Sequence, residues 1–148
     1  GFTSDDFAAS HPAGQLGRRL LVHISDVMHT GTEIPRVEPD ASVTQALIEM
    51  THKKLGMTAI VGSDDRLCGV FTDGDLRRTL DDSSVDLRNT PVSALMTANP
   101  RTISADKLAI EAARMMETHQ ISGLLVVNGQ GLLVGALNFH DLLRARVI

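Results

Sequence analysis

The chain has 148 residues, 43% of them hydrophobic and 22% charged, with a net charge of −4. That is enough for one ordinary globular domain or two very small ones, and a core of this size forms without disulfides. The acidic balance, the absence of a basic run and the lack of Trp and Tyr argue against a nucleic-acid surface, and no apolar stretch approaches the roughly 20 residues that span a bilayer.

The segment "GFTSDDFAASHPAGQLGRRLL" mixes Gly, Pro and Ser with few periodic apolar residues. It reads as a linker, residues 1–23, holding one short helix from Ser4 to Ala9 that Ser4 caps. The chain opens on Gly1 rather than Met and carries no signal peptide, so it reads as a piece of a longer protein. "ISDVMHTGTEIPRVEP" follows. A helical turn is expected at Ser25 to Met28, and Pro35 and Pro39 bracket an edge strand at Arg36-Val37-Glu38.

Val43, Ala46, Leu47 and Met50 fall on one helical face. Ser42 and Gln45 form a capping-box pattern at its start, and Gly56 suits its end. "MTAIV" (57–61) and "LCGVFT" (67–72) read as strands around the turn "GSDDR". Cys68, the one cysteine, reads as a small buried hydrophobe; it permits no internal disulfide and fits a reducing compartment, hence a cytoplasmic location. "DGDLRRTL" is a short helix.

The second half repeats this order. "VSALMT" matches "ISDVMHT"; "LAIEAARMM" is a helix with Ala109, Ala112, Ala113 and Met116 on one face; "GLLVV" and "LLVGAL" are strands around "NGQG"; "HDLLRA" is the closing helix. A shift of 66 residues (141 − 75) pairs Asp75 with Asp141, and also Ala46 with Ala112, Met50 with Met116, Gly69 with Gly135 and Arg78 with Arg144. Two copies of one small unit are expected. Each is too small to close a core on its own, so the copies pack sheet against sheet about a pseudo-twofold axis, leaving two equivalent clefts.

A repeated unit with "DVMHT" or "ALMT" near its start and "GVFTDGDL" at its end resembles a CBS-domain pair, or Bateman module. The resemblance implies an α+β fold of two β-α-β-β-α units, at residues 24–83 and 92–148. Its most specific motif, Gly-x-x-Thr-x-x-Asp, is present as Gly69, Thr72 and Asp75. The second copy keeps Gly135 and Asp141 but has Asn138 in place of Thr, which weakens the expected phosphate contact there. "SHPAGQLGRRLL" with "DVMHTG" and "LGMTAIV" is further similar to bacterial D-arabinose-5-phosphate isomerases, in which a sugar isomerase (SIS) domain precedes a CBS pair. That likeness implies a parent enzyme interconverting ribulose 5-phosphate and arabinose 5-phosphate for Kdo and lipopolysaccharide synthesis. It makes His11 catalytic, though only in the intact parent.

For Thr72 and Asp75 two readings stand together. As a capping pair, Thr72 is the N-cap and Asp75 the acid three residues on, favoured by the helix dipole. As a ligand site, Asp75 accepts from ribose hydroxyls, while Thr72 and the adjacent amides face phosphate. Asn138 and Asp141 carry the same argument, with His140 beside them. Arg78 suits phosphate, and of Arg77 and Arg78 at most one is expected to face the cleft. On the resemblance, His29, Thr30 and Thr97 lie beside the base, with Val37 and Ile103 as apolar walls. The remaining histidines, including His52 and His119 near helix C-termini, show no metal-ligand spacing, so no metal is expected.

The expected function is therefore ligand sensing: no cofactor is required, and CMP-Kdo, CMP, AMP or ATP is the regulatory ligand. The alternative is an assembly module without a ligand. The implied partners are the chain's own N-terminal isomerase domain and a second CBS pair in a homodimer within a larger homo-oligomer, with neither nucleic acid nor membrane. No Walker loop, nucleophile elbow or nucleophile–base pair supports an independent enzyme.

Overall fold

A computed structural model describes residue 17 and residues 20–148. The expected linker over 1–23 falls largely outside the described residues, and the Ser4–Ala9 helix and His11 wholly so. The elements are α1 (Ile24–Val27), β1 (Arg36–Val37), α2 (Val43–Lys53), β2 (Met57–Val61), β3 (Leu67–Thr72), α3 (Asp73–Leu80), β4 (Thr97–Ala98), β5 (Thr102–Ile103), α4 (Ala109–His119), β6 (Gly123–Val127), β7 (Leu133–Asn138) and α5 (Phe139–Arg144). Single 3₁₀ turns lie at Gly31–Glu33, after the opening of the first copy, and at Val92–Ala94, within the opening of the second.

Local chemistry sets the boundaries. The Ser42 hydroxyl accepts from the Gln45 N–H at 3.1 Å and the Gln45 side chain accepts from the Ser42 N–H at 2.9 Å, which closes the start of α2. Its end differs from expectation. Lys54, not Gly56, is the C-cap, in the left-handed region at φ 64, and Gln120 repeats this after α4 at φ 52. Gly56 also has positive φ, but it turns the chain into β2.

Two sheets form, ordered β1-β2-β3-β4 and β5-β6-β7. In each, the first pairing is parallel and the next antiparallel. β2 is buried at every position because both faces are covered. Met57, Ala59 and Val61 meet Leu125, Leu133 and Ala136 of the other sheet, while Ile60 packs with Val43, Ala46 and Met50 of α2. Thr58 shares the helix side, where its hydroxyl donates to the Ala46 carbonyl at 2.9 Å. β6 alternates likewise: Leu125 faces the first sheet, and Leu124 and Val126 face α4. The layers run helix, sheet, sheet, helix.

Both hairpins carry one bulge at the same place. Ile60 pairs with Gly69 and Val61 with Leu67, which leaves Cys68 as the extra residue; Val134 is its counterpart in the second copy. Cys68 is thus half-buried rather than buried.

The copies exchange their opening segments. β4, from the second copy, extends the first sheet beside β3, and His29, from the first, bridges Ala136 beside β7. Val92 is buried in the first copy's core and Ile24 in the second's. The backbone follows suit: Val92 N–H donates to Ala41 O at 2.7 Å, Ile24 N–H to Lys107 O at 2.8 Å and Ala109 N–H to Val22 O at 2.7 Å.

Candidate functional site: the cleft between the copies

The start of α3 is where the exchange exposes polar groups. Thr72 is the N-cap, and its hydroxyl accepts from the Asp75 N–H at 3.2 Å. Oδ2 of Asp75 accepts in return from the Thr72 N–H at 2.9 Å and its hydroxyl at 3.1 Å. Oδ1 accepts from Arg78 at 2.5 Å and from the Thr97 hydroxyl of the second copy at 2.9 Å. The carboxylate is 5% exposed and fully partnered. Capping is therefore its resting role.

In front of this junction lies a cleft of about 870 Å³ between the copies. Thr72, Asp73, Gly74, Arg77 and Arg78 form its first-copy wall; Thr97, Asn99, Arg101, His119, Ser122 and Gly123 belong to the second. Leu55, Met57, Val70, Ile121 and Leu125 supply apolar lining. Three guanidiniums, one imidazole and the positive end of α3 face a single acidic side chain, Asp73, so the cleft is suited to an anion.

The pseudo-symmetric junction is built differently. The Asn138 side chain accepts from the Asp141 N–H at 3.1 Å, and Oδ2 of Asp141 accepts from the Asn138 N–H at 2.8 Å. Oδ1 of Asp141 meets Arg144 and, at 2.8 Å, Nε2 of His29. Nδ1 of His29 is 2.7 Å from Oε1 of Glu33. His29 thus spans two carboxylates where Thr97 offers one hydroxyl. Burial pulls its pKa down, but the hydrogen bonds and charges of Glu33 and Asp141 outweigh that and hold it above the ordinary value.

Of the residues singled out from the sequence, Thr72, Arg78 and Thr97 line the large cleft, with Asp75 just behind them. Asn138, Asp141 and His29 assemble at the second junction. Thr30 lies beside His29 and is exposed. Val37 and Ile103 are not cleft walls. They pair with Ile60 and Val126, whose side chains face the helices, so they sit in the helix-side cores. The reading is one residue out of register, which in a strand means the opposite face. Arg77 and Arg78 both line the cleft, against the expectation of one. Long side chains from neighbouring positions reach the same cavity when the helix runs along its wall.

Sequence reasoning missed Arg101, His119, Gln120 and Ser122. The signal for Arg101 was the match of "VSALMT" to "ISDVMHT", which, read as an exchange of openings, brings the segment after Thr97 against α3; no local pattern marks the other three, at the end of α4. It also missed why Gly69 and Gly135 are glycines. A Cβ on Gly69 would lie 2.8 Å from the Thr97 carbonyl, and one on Gly135 3.2 Å from the His29 carbonyl. The bare backbone lets the exchanged segment cross. Among the described residues, no group of three or more His, Cys, Asp or Glu is placed to hold a metal ion, and no helix is long and apolar enough to cross a membrane.

Comparison with known proteins fits this geometry. The whole chain is 51% identical to the arabinose 5-phosphate isomerase KdsD of Yersinia pestis and 51% identical to that of Pseudomonas aeruginosa. It spans 44% and 45% of their lengths, less than half of each. The crystal structure of CBSX2 in complex with AMP superposes with a TM-score of 0.73 at 26% identity, covering 85% of this chain and 96% of that one. An uncharacterized conserved protein from Pyrococcus horikoshii superposes at 0.74 with 27% identity, covering 86% and 93%. The CBS domain model matches twice, at residues 24–82 and 92–148, which are the two copies that exchange their openings. This chain belongs to the CBS-domain family.

Proposed function

We propose that this chain is the ligand-sensing region of a longer aldose–ketose isomerase, and that an anionic nucleotide or nucleotide-sugar binds in the large cleft. One observation carries the reading: the cavity of about 870 Å³ is walled by both copies and presents Arg77, Arg78 and Arg101 beside the start of α3. AMP in the related CBSX2 structure supports a nucleotide, and the isomerase relatives support the parent reaction, ribulose 5-phosphate to arabinose 5-phosphate.

Binding works by exchange at Asp75. The ribose hydroxyls replace Thr97 and Arg78 on Oδ1. Arg78, released, turns to the phosphate together with the amides at the start of α3. Thr72, Asp75, Arg78 and Thr97 are then the ligand-binding residues. Because the walls come from different copies, the ligand favours one relative placement of the copies, and that difference in affinity is what couples it to an upstream isomerase domain. Residues 1–23 are the link to that domain, and His11 completes the active site there with groups of the upstream domain. The chain itself turns nothing over, and the setting is the cytoplasm.

CMP-Kdo, the activated end product of the pathway this enzyme would feed, is the proposed physiological ligand. Calorimetry of this chain with CMP-Kdo, CMP, AMP and ATP tests the reading. Heat from CMP-Kdo that Arg101→Ala abolishes supports it; silence from all four with the fold intact ends it.

An assembly role is a second reading, favoured by the exposed apolar residues Ile48, Leu80, Phe139 and Leu143 on the outer helices. A second CBS pair covering them makes a homodimer. Sedimentation of the parent with and without residues 24–148 tests this: an unchanged oligomer overturns it.

A further inference from the structure

We infer that the two clefts are not equivalent: the one at Thr97 and Asp75 takes the anionic ligand, and His29 locks the other shut, so that one chain holds one ligand. This rests on the proposed nucleotide reading for the first cleft, but the lock itself stands on separate observations.

The repeat makes the comparison position by position. His29 and Thr97 both follow the methionine of "DVMHT" and "ALMT", and each reaches the other copy's aspartate. A threonine hydroxyl makes one bond to Asp75 and is easily exchanged for a ribose hydroxyl. His29 is anchored at both nitrogens, by Asp141 at 2.8 Å and Glu33 at 2.7 Å. A ligand must displace a ring bonded on two sides, and its removal leaves Glu33 facing an incoming phosphate. Charge points the same way. Leu143 occupies the place of Arg77 under the 66-residue shift, and Asn138 replaces Thr72. Three changes thus each remove cationic charge or an exchangeable hydroxyl from the second cleft.

The test counts AMP molecules per chain by calorimetry and places them by amide-resonance changes. Wild type is expected to take one, with changes at 72–78, 97–101 and 119–123; two per chain overturns the inference. His29→Thr, which copies Thr97, is expected to admit AMP at 138–144 with the first cleft's affinity unchanged. A folded His29→Thr that gains nothing at 138–144 overturns the lock. Should that variant fail to fold, Glu33→Ala frees Nδ1 from an exposed position and is expected to admit AMP at 138–144, where wild type binds none; no binding there overturns the lock. If wild type binds no AMP at all, the nucleotide reading of the first cleft fails, and the gain or absence of binding in these variants still decides the lock.

Discussion

The Thr97 hydroxyl donates to Oδ1 of Asp75 at 2.9 Å, joining the opening of the second copy to the helix start of the first. Thr97→Val removes this bond and leaves Oδ1 with Arg78 alone. A hydrogen bond to a charged group contributes about 1.5–3 kcal/mol. Urea unfolding of Thr97→Val is expected to show a loss in that range with an unchanged slope.

Gly69→Ala places a Cβ 2.8 Å from the Thr97 carbonyl, backbone that cannot swing aside, whereas Gly135→Ala meets the His29 carbonyl at 3.2 Å. Overpacking of this kind costs about 1–3 kcal/mol. Gly69→Ala is expected to melt several degrees below wild type and Gly135→Ala less far below. Gly129 has open space around it, and its alanine variant serves as the near-neutral control. Equal melting of all three would refute the crossing argument.

His29 gives a pH signature. Its folded-state pKa is raised above the ordinary value by Glu33 and Asp141 despite burial. A raised pKa means that the protonated form is favoured on folding. The contribution is full below the unfolded value of about 6.5 and is lost as pH rises through the folded one. Because the ring is partly exposed and screened, the effect stays below about 1 kcal/mol. Wild type is expected to melt slightly lower at pH 8.5 than at pH 6, and His29→Gln is expected to lose this dependence.

Arg77 and Arg101 stand on opposite walls of the cleft. Both are surface residues, so alanine at either is expected to leave stability within about 0.5 kcal/mol of wild type. A charge-assisted bond contributes about 1.5–3 kcal/mol, so nucleotide affinity is expected to fall at least tenfold in either variant. The loss should shrink as salt is raised. Unchanged affinity in both would remove the cleft as the anion site.

Much of this was legible from spacing alone. Ser42 and Gln45, or Thr72 and Asp75, announce helix starts because a capping box is a local pattern. The repeat was legible because a 66-residue shift aligns helix, strand, strand and helix at once. What escaped was long-range or hung on a single residue of register. The Thr97–Asp75 and His29–Asp141 contacts depend on an exchange that no local pattern encodes. Val37 and Ile103 were assigned to the wrong face because strands of two residues carry too little alternation to fix it. Cys68 was placed in the core because a bulge, which breaks that alternation, has no signature of its own in "LCGVFT".

The crossing of Val22 and Ile24 into the far half carries a mechanical consequence. Ala109 and Lys107 clamp the incoming strand of polypeptide, so whatever is attached ahead of it pulls first on the distal unit, not on the one next in sequence. A shift of the distal unit against the first therefore moves that anchorage directly, with no hinge needed in between. Severing the chain between residues 83 and 91 should for the same reason yield two pieces that fold only when mixed.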